Sequence, residues 1–519
     1  MVDAREYHER TSYSPERLRE MEFELDESNR PRPYKLYEGL PRVSPDDDPD
    51  PPETPALAAV ATDGAAPPAA AHDTEDDPDI GTLCQYAAGI TKEPETGGER
   101  YRYRAAACTG ALYHVDIYAV AGDCGAFSPG VYHFDPDSGA FDVLREGDYR
   151  GVLAAAAGDR DEEGDSTGVA DAPVTFVATS QWWRNAWKYR DRTYRHAFWD
   201  AGTILANLLA VAHGGGHRAE VVAGFADDPV VELLGLDPDD EAPLALAPVG
   251  SGSPVSDAAE TPEVDPIDPD ERPLSEDPVD YPLIVDAWRG SRLADGEAAD
   301  TWRSVFAHEV ADTSLGARPA DDGERTALDP VDAETASARP TGNTIERRGS
   351  CREYSHEPIS ARKFATVMDR ALRGVPADAF AGDLRGLVDC YCLVHAVDGV
   401  DSGVYEYHPG ADELEWVRET DRKRAGHLAL GQDVVGDAAV NVYLVADVDA
   451  VVSEFGNRGY RLAQLEAGIV LGRLYLATYA HRSLGGRGFT FFDTEVADYL
   501  APHADGQTPM TLFAFGKPA

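Results

Sequence analysis

A chain of 519 residues with 43% hydrophobic and 27% charged residues is globular and long enough for two or three domains, each with its own core. Its 94 acidic residues against 46 basic ones give a formal net charge of −48, a potential that repels phosphate backbones and anionic bilayers and so excludes nucleic-acid and membrane partners. No run of eighteen apolar residues occurs, and the six cysteines have neither CxxC nor zinc-ligand spacing, so a cytoplasmic protein with free thiols and no metal is expected.

Lysine is scarce: Lys35, Lys92, Lys188, Lys363, Lys423 and Lys517 are the only six, and every other base is arginine. Together with the acid excess, this composition is like that of haloarchaeal proteins. In molar salt the Debye length falls to about 3 Å and self-repulsion is screened.

In chain order the sequence divides into an N-terminal arm (1–43), an acidic Pro/Ala-rich linker (44–80), a first domain (81–250), an acidic linker or insertion with short helices (251–343) and a second domain (344–519). The two domains repeat one another. GVYHFDPDSGAFDVLREGDYR from Gly130 aligns without gaps on GVYEYHPGADELEWVRETDRK from Gly403, each a strand, a turn and a strand, hence a hairpin. RTYRHAFWDAGTILANLLAVAH from Arg192 aligns on RGYRLAQLEAGIVLGRLYLATY from Arg458, both long apolar helices carrying an acid followed by Ala-Gly: Asp200-Ala201-Gly202 and Glu466-Ala467-Gly468. PLALAPVG (243–250) matches PMTLFAFG (509–516) at the same offset.

Each copy therefore reads helix, strand, hairpin, strand, long buried helix, short helix, strand. That order predicts an α+β fold, a mainly antiparallel sheet flanked by helices, in each of two tandem domains. A fused duplication replaces a two-fold dimer, so an intrachain pseudo-dimer that stays monomeric is expected.

Three stretches carry chemistry. In the second copy Arg348, Ser350 and Arg352 alternate, which puts two guanidinium groups and a hydroxyl on one face of an extended segment. Such a face suits a phosphate, although a basic surface strand ahead of a helix would read the same way. In the first copy Cys108, Thr109, Gly110, Ala111, Leu112 and Tyr113 make a small-residue loop whose backbone can approach a flat ligand. The third stretch is Trp187-Lys188-Tyr189, leading into the long helix. Lys188 is wedged between aromatics, where desolvation lowers a lysine pKa toward a useful acid–base range; otherwise it is a snorkelling side chain.

These stretches resemble, in order, the signatures of the nitroreductase family. Arg347–Ser360 is similar to Arg-Arg-Ser-x-Arg-x-Phe/Tyr followed by an acid-Pro-Ile-Ser turn, with Gly349 in place of the second arginine. Ala107–His114 is similar to the Pro-Ser-x-Gly-Ala-Leu-Tyr-Pro element of the SagB-type branch, the azoline dehydrogenases, and Lys188–Arg195 to that branch's Lys-Tyr-x-x-Arg-x-Tyr-Arg. The resemblance implies FMN bound between the two copies, its phosphate on Arg348, Ser350 and Arg352 and its ring against Cys108–Tyr113. It also implies hydride transfer with Lys188 and Tyr189 handling the proton, a small-molecule or peptide substrate such as an azoline, and NAD(P)H as a candidate reductant.

The second copy has Glu454 and Phe455 at the Lys-Tyr positions and has lost the loop pattern near Leu384–Val388. One intact site per chain is therefore expected. Arg10 and Ser12 are candidates for a remnant of the phosphate signature in the first copy. The substitutions at Ala107, Cys108, Gly349, Glu454 and Phe455 leave a second reading, a flavin-binding or scaffold protein without catalysis.

Overall fold

The computed structural model describes the chain apart from residues 1, 22–23, 46–48, 63, 68–70, 72–73, 75, 98, 160–166, 252–261, 310–322, 333–338 and 381–385. Two antiparallel sheets stand on either side of two long buried helices. The first sheet holds β1 (Arg42–Val43), β2 (Val115–Ala121), β3 (Gly130–Asp135), β4 (Ala140–Glu146), β5 (Val174–Gln181) and β6 (Glu241–Val249), in the order β1-β4-β3-β2-β5-β6. The second holds β7 (Arg325–Ala327), β8 (Asp389–Val394), β9 (Gly403–His408), β10 (Glu413–Arg418), β11 (Val440–Ala446), β12 (Gly485–Phe489) and β13 (Thr508–Gly516), in the order β7-β10-β9-β8-β11-β13-β12. The two orders are the same apart from the extra edge strand β12. The fold is α+β, as the patterning implied.

The correspondence reaches individual irregularities. The β3–β4 hairpin shifts register between Val131 and Tyr132, and the β9–β10 hairpin between Val404 and Tyr405, the same aligned positions. β6 bulges across Pro243–Ala245 and β13 across Pro509–Thr511. Because a bulge shifts every later side chain to the opposite face, matched bulges mean that both copies aim their strands alike.

The long helices, Thr193–Gly214 and Val448–Ala480, cross at the two Ala-Gly pairs. A Cβ on Gly202 would lie 2.4 Å from the Gly468 carbonyl carbon, and one on Gly468 2.6 Å from the Phe198 oxygen, so only glycine permits this approach. The backbone breaks at equivalent residues: Arg190, with φ 51°, separates the helix Trp182–Tyr189 from the first long helix, and Gly456, with φ 64°, interrupts the second.

Buried acids lock the copies together reciprocally. Asp493 of the second copy accepts from Arg192 (2.8 Å) and Arg195 (2.7 Å) of the first. Asp227 of the first accepts from Arg458 and from Arg461 (2.7 Å) of the second. With both partners buried, breaking either cluster leaves an uncompensated charge, which costs about 3–5 kcal/mol.

The same bonds show which peripheral segments correspond. Arg195 Nε donates to Thr11 Oγ1 and Arg192 Nη1 to the Thr11 carbonyl. In the other copy Arg461 Nε donates to Ser291 Oγ and Arg458 Nη1 to the Ser291 carbonyl. The arm helix Ala4–Thr11 and the helix Pro282–Arg289 thus play one role. Two further pieces of the acidic stretches are structured: Ala56–Ala59 is a fully buried helical turn, and β7 extends the second sheet.

Candidate functional site

Between the copies lies a cavity of about 910 Å³, inside the usual range for ligand pockets. The first copy lines it with Cys108–Ala111, Tyr113, Lys188 and Tyr189, the second with Arg348, Ser350 and Arg352. Of the residues read as flavin-binding or proton-handling, all line the cavity except Leu112, whose side chain turns into the core. Leu471, Tyr475, Phe489 and Leu512 add an apolar wall.

The Cys108–Tyr113 loop is strained. Gly110, Ala111 and Tyr113 have φ of 63°, 54° and 49°, and a left-handed non-glycine residue costs of order 1–3 kcal/mol. Asp200, the acid of the Ala-Gly motif, holds the loop by accepting from Thr109 N (3.0 Å), Thr109 Oγ1 (2.7 Å), Cys108 Sγ (3.0 Å) and His114 Nε2 (2.9 Å). Arg184, paired with Asp116, fixes the Tyr113 carbonyl at 2.9 Å. Gly110 has to be glycine for a second reason: a Cβ there would meet the Tyr189 hydroxyl at 2.9 Å. The Cys108 thiol is committed to Asp200, and its pKa is raised by burial and by that carboxylate.

Arg348, read from sequence as a phosphate ligand, spends most of its guanidinium otherwise. Nε donates to the Ala105 carbonyl (2.8 Å) and Nη2 to those of Arg104 (2.7 Å) and Ala106 (3.1 Å), which ties the two copies together and leaves Nη1 for a ligand. Ser350 and Arg352 are exposed at the cavity. Lys188 and Tyr189 form no hydrogen-bonded pair; the ammonium lies 5.2 Å from the Tyr189 ring centroid. Burial and Arg30 lower the Lys188 pKa, while burial and Asp200 raise that of Tyr189.

Sequence reasoning missed three contributors. Lys92 donates to the Arg347 carbonyl (3.1 Å) and to that of Arg348, and burial with those two arginines brings its pKa down to about 8. Arg487, half-buried, has its pKa lowered by burial and by neighbouring Arg352. His196 is the third. The scarcity of lysine that drew attention to Lys188 marked Lys92 equally, and Arg487 sits in the glycine-rich run Gly485-Gly486-Arg487-Gly488.

Charge in the cavity is one-sided. Lys92, Lys188, Arg348, Arg352 and Arg487 line it, and none has an ion-pair partner among the described residues. The lining acid, Asp200, is already saturated with donors. In a chain with about twice as many acids as bases, five unpaired cations around one cavity make its local potential positive.

The pseudo-equivalent position on the other side is filled. A constant offset of 266 residues, Arg192 to Arg458, pairs Gly224 with the cavity residue Thr490 and Phe455 with Tyr189. Around Gly224 a Cβ would meet Arg303 and Asp378 at 3.0 Å and Trp302 at 3.1 Å. Asp378 accepts from the backbone N–H groups of Ala223 (2.8 Å) and Gly224 (2.9 Å), and Trp302 Nε1 donates to the Phe455 carbonyl (3.0 Å). Trp302 and Arg303 come from the helix Gly296–Glu309, within the stretch read as a linker or insertion with short helices.

On this side Glu466 accepts from Leu387 N at 2.7 Å, the counterpart of Asp200 and Thr109, and burial brings its pKa up to about 8. Leu384 and Arg385 of the degenerate loop fall outside the described residues. Arg10 and Ser12 form no phosphate site: Arg10 pairs with Glu6 at the surface, and Ser12 Oγ accepts from Arg195. Ala56 N donates to the Arg339 carbonyl and Thr341 N to that of Thr54, a reciprocal pair that relates the segment at Thr54 to the one at Arg339.

Residues 136–251 match the Nitroreductase family. Among curated proteins, the chain is 29% identical over 187 residues to "Putative nitroreductase MJ1384" of Methanocaldococcus jannaschii, covering 34% of this chain and 89% of that one. It is 26% identical over 171 residues to the microcin B17-processing protein McbC of Escherichia coli, covering 32% of this chain and 60% of that one. Among solved structures, a nitroreductase-like protein from Anabaena variabilis superposes with a TM-score of 0.70 at 22% identity, covering 99% of each chain. The nitroreductase fold therefore extends over the whole chain, both sheets included. Among the described residues no helix is long and apolar enough to cross a membrane.

Proposed function

We propose that this chain is an FMN-dependent oxidoreductase of the nitroreductase type, with one flavin site per chain, working in the cytoplasm of a salt-adapted cell. The observation that carries this reading is the cavity between the copies, which combines five unpaired cations with an apolar wall and a strained small-residue loop. Arg348 Nη1, Ser350, Arg352, Arg487 and Lys92 would hold the flavin phosphate, and Cys108–Tyr113 would face the ring. When bound, the flavin supplies two-electron hydride chemistry. Lys188 and Tyr189 stand at the same cavity to move the accompanying proton.

The similarity to a microcin-processing protein supports a finer reading, oxidation of an azoline in a peptide to an azole, with NADPH as an alternative source of electrons. The counterpart position, filled by Trp302, Arg303 and Asp378, supports a single site and an intrachain pseudo-dimer. On this reading each repeat includes its peripheral arm and runs over about 1–250 and 281–519, wider than 81–250 and 344–519.

The test is the absorption spectrum of protein purified in molar KCl, before and after NADPH or a thiazoline peptide, with flavin counted per chain. About one flavin per chain, bleached by reductant, is the expected result. Two flavins per chain would remove the single-site claim, and no flavin would remove the whole reading. A chromophore that no donor reduces would identify a flavin-binding protein without catalysis.

A further inference from the structure

His196 is 1% exposed, yet its ring reaches the cavity wall. Its neighbours decide which ring nitrogen carries the hydrogen. The Asp200 carboxylate accepts, so the Thr109 hydroxyl donates to it at 2.7 Å. Thr109 Oγ1 in turn accepts from Asn185 Nδ2 at 2.8 Å, which turns Asn185 Oδ1 the other way. There Oδ1 accepts from the Thr193 hydroxyl at 3.0 Å and faces His196 Nδ1 at 3.0 Å. An amide oxygen has no hydrogen to give, so Nδ1 bears the hydrogen and Nε2 a lone pair.

Nε2 has no hydrogen-bond partner among the described residues, and the ring lines the cavity. Burial, then Arg192, His114, Arg195 and Lys188, push the His196 pKa well below the ordinary histidine range and keep that lone pair free. The Lys188 nitrogen stands over the Tyr189 ring, and the Tyr189 phenol keeps its proton through burial and Asp200. The two rings meet edge to face at 4.5 Å, so His196 and Tyr189 address the same part of the cavity.

We propose that His196 Nε2 takes the proton that leaves the substrate, in place of Lys188 and Tyr189, which are left to hydrogen-bond the reacting group; this rests on the redox reading above. When an H–C–X–H group of the substrate becomes C=X, with X carbon, nitrogen or oxygen, the C–H hydrogen leaves with its electron pair to a two-electron oxidant, the flavin of that reading. The X–H bond breaks, its electrons close the double bond, and the proton passes to Nε2. The imidazolium so formed, beside Arg192 and Arg195, then releases the proton to water.

Two measurements test this. Full-length protein labelled with 15N-histidine, in molar KCl at pH 7, is compared with His196→Phe to assign the signal. A neutral ring with hydrogen on Nδ1 is expected, and an Nε2–H tautomer or an imidazolium overturns the proposal whether or not any flavin binds. In flavin-loaded protein with a thiazoline peptide, His196→Phe should lower kcat about 100-fold at unchanged flavin content. His196→Gln, which accepts a hydrogen bond but takes no proton, should recover KM and not kcat; wild-type kcat in that variant also overturns the proposal. Absence of flavin would count against the redox reading alone, since the tautomer is read independently of it.

Discussion

Thr490 and Gly224 occupy equivalent places in the two copies, and their surroundings differ completely. Thr490 looks into an open cavity lined by unpaired cations. Gly224 is pressed against Trp302, Arg303 and Asp378, all supplied by the protein. The backbone framework is shared down to matched bulges and matched helix breaks, so one scaffold accommodates both an open and a filled position. Trp302 packs beside Gly224 and the Asp378 carboxylate accepts from the Ala223 and Gly224 N–H groups, so protein atoms fill this position while the symmetric scaffold stays intact.

Three substitutions probe that contrast. The largest effect is expected at the open side: Lys188→Ala should keep its flavin and lose at least about 100-fold in turnover, because a polar group facing the reacting atoms is removed and the phosphate grip is untouched. Full turnover, measured on protein with its flavin quantified, would take Lys188 out of the chemistry. A crossed pair comes next. Trp302→Ala should destabilise the fold by about 3–5 kcal/mol, as deletion of a packed tryptophan does, without changing flavin stoichiometry. Arg352→Ala, an exposed residue, should leave the melting temperature in place and raise the flavin dissociation constant roughly 10- to 100-fold, the loss of one charge-assisted bond. If Trp302→Ala instead admits a second flavin, the filled side is a masked site and not a lost one.

The smallest effect concerns Glu466. Its folded pKa, about 8, lies above the ordinary value of 4.5, so the folded state keeps a proton that the unfolded chain releases. Its contribution is therefore complete below pH 4.5 and is lost as pH rises toward 8. Glu466→Gln should flatten the melting temperature across that window and gain on the wild type toward pH 8. An unchanged slope would mean that Glu466 is already ionised in the fold.

The repeat, the long helices and the hairpins were legible because each rests on local periodicity and on runs of residues that recur. So were most of the cavity residues, which lie in short contiguous strings such as Cys108–Tyr113. His196 was not legible, since its role depends on a relay through Thr109 and Asn185 that only folding assembles. Arg348 looked like a free phosphate ligand because sequence does not show the carbonyls of Arg104, Ala105 and Ala106 arriving beneath it. Short helices were expected in the stretch around Trp302, but not that one of them packs against the opposite copy, because its partner Phe455 lies far along the chain.

The reciprocal clusters of Asp227 and Asp493 bear on biosynthesis. Asp227 leaves the ribosome more than two hundred residues ahead of Arg458 and Arg461, roughly 10–50 s at 5–20 residues/s. During that interval the first copy carries an acid without its bases and a helix without its glycine-matched neighbour, so it waits in a half-docked state. A chain cut between the copies would inherit that wait permanently, and the two pieces would be expected to fold only when made together.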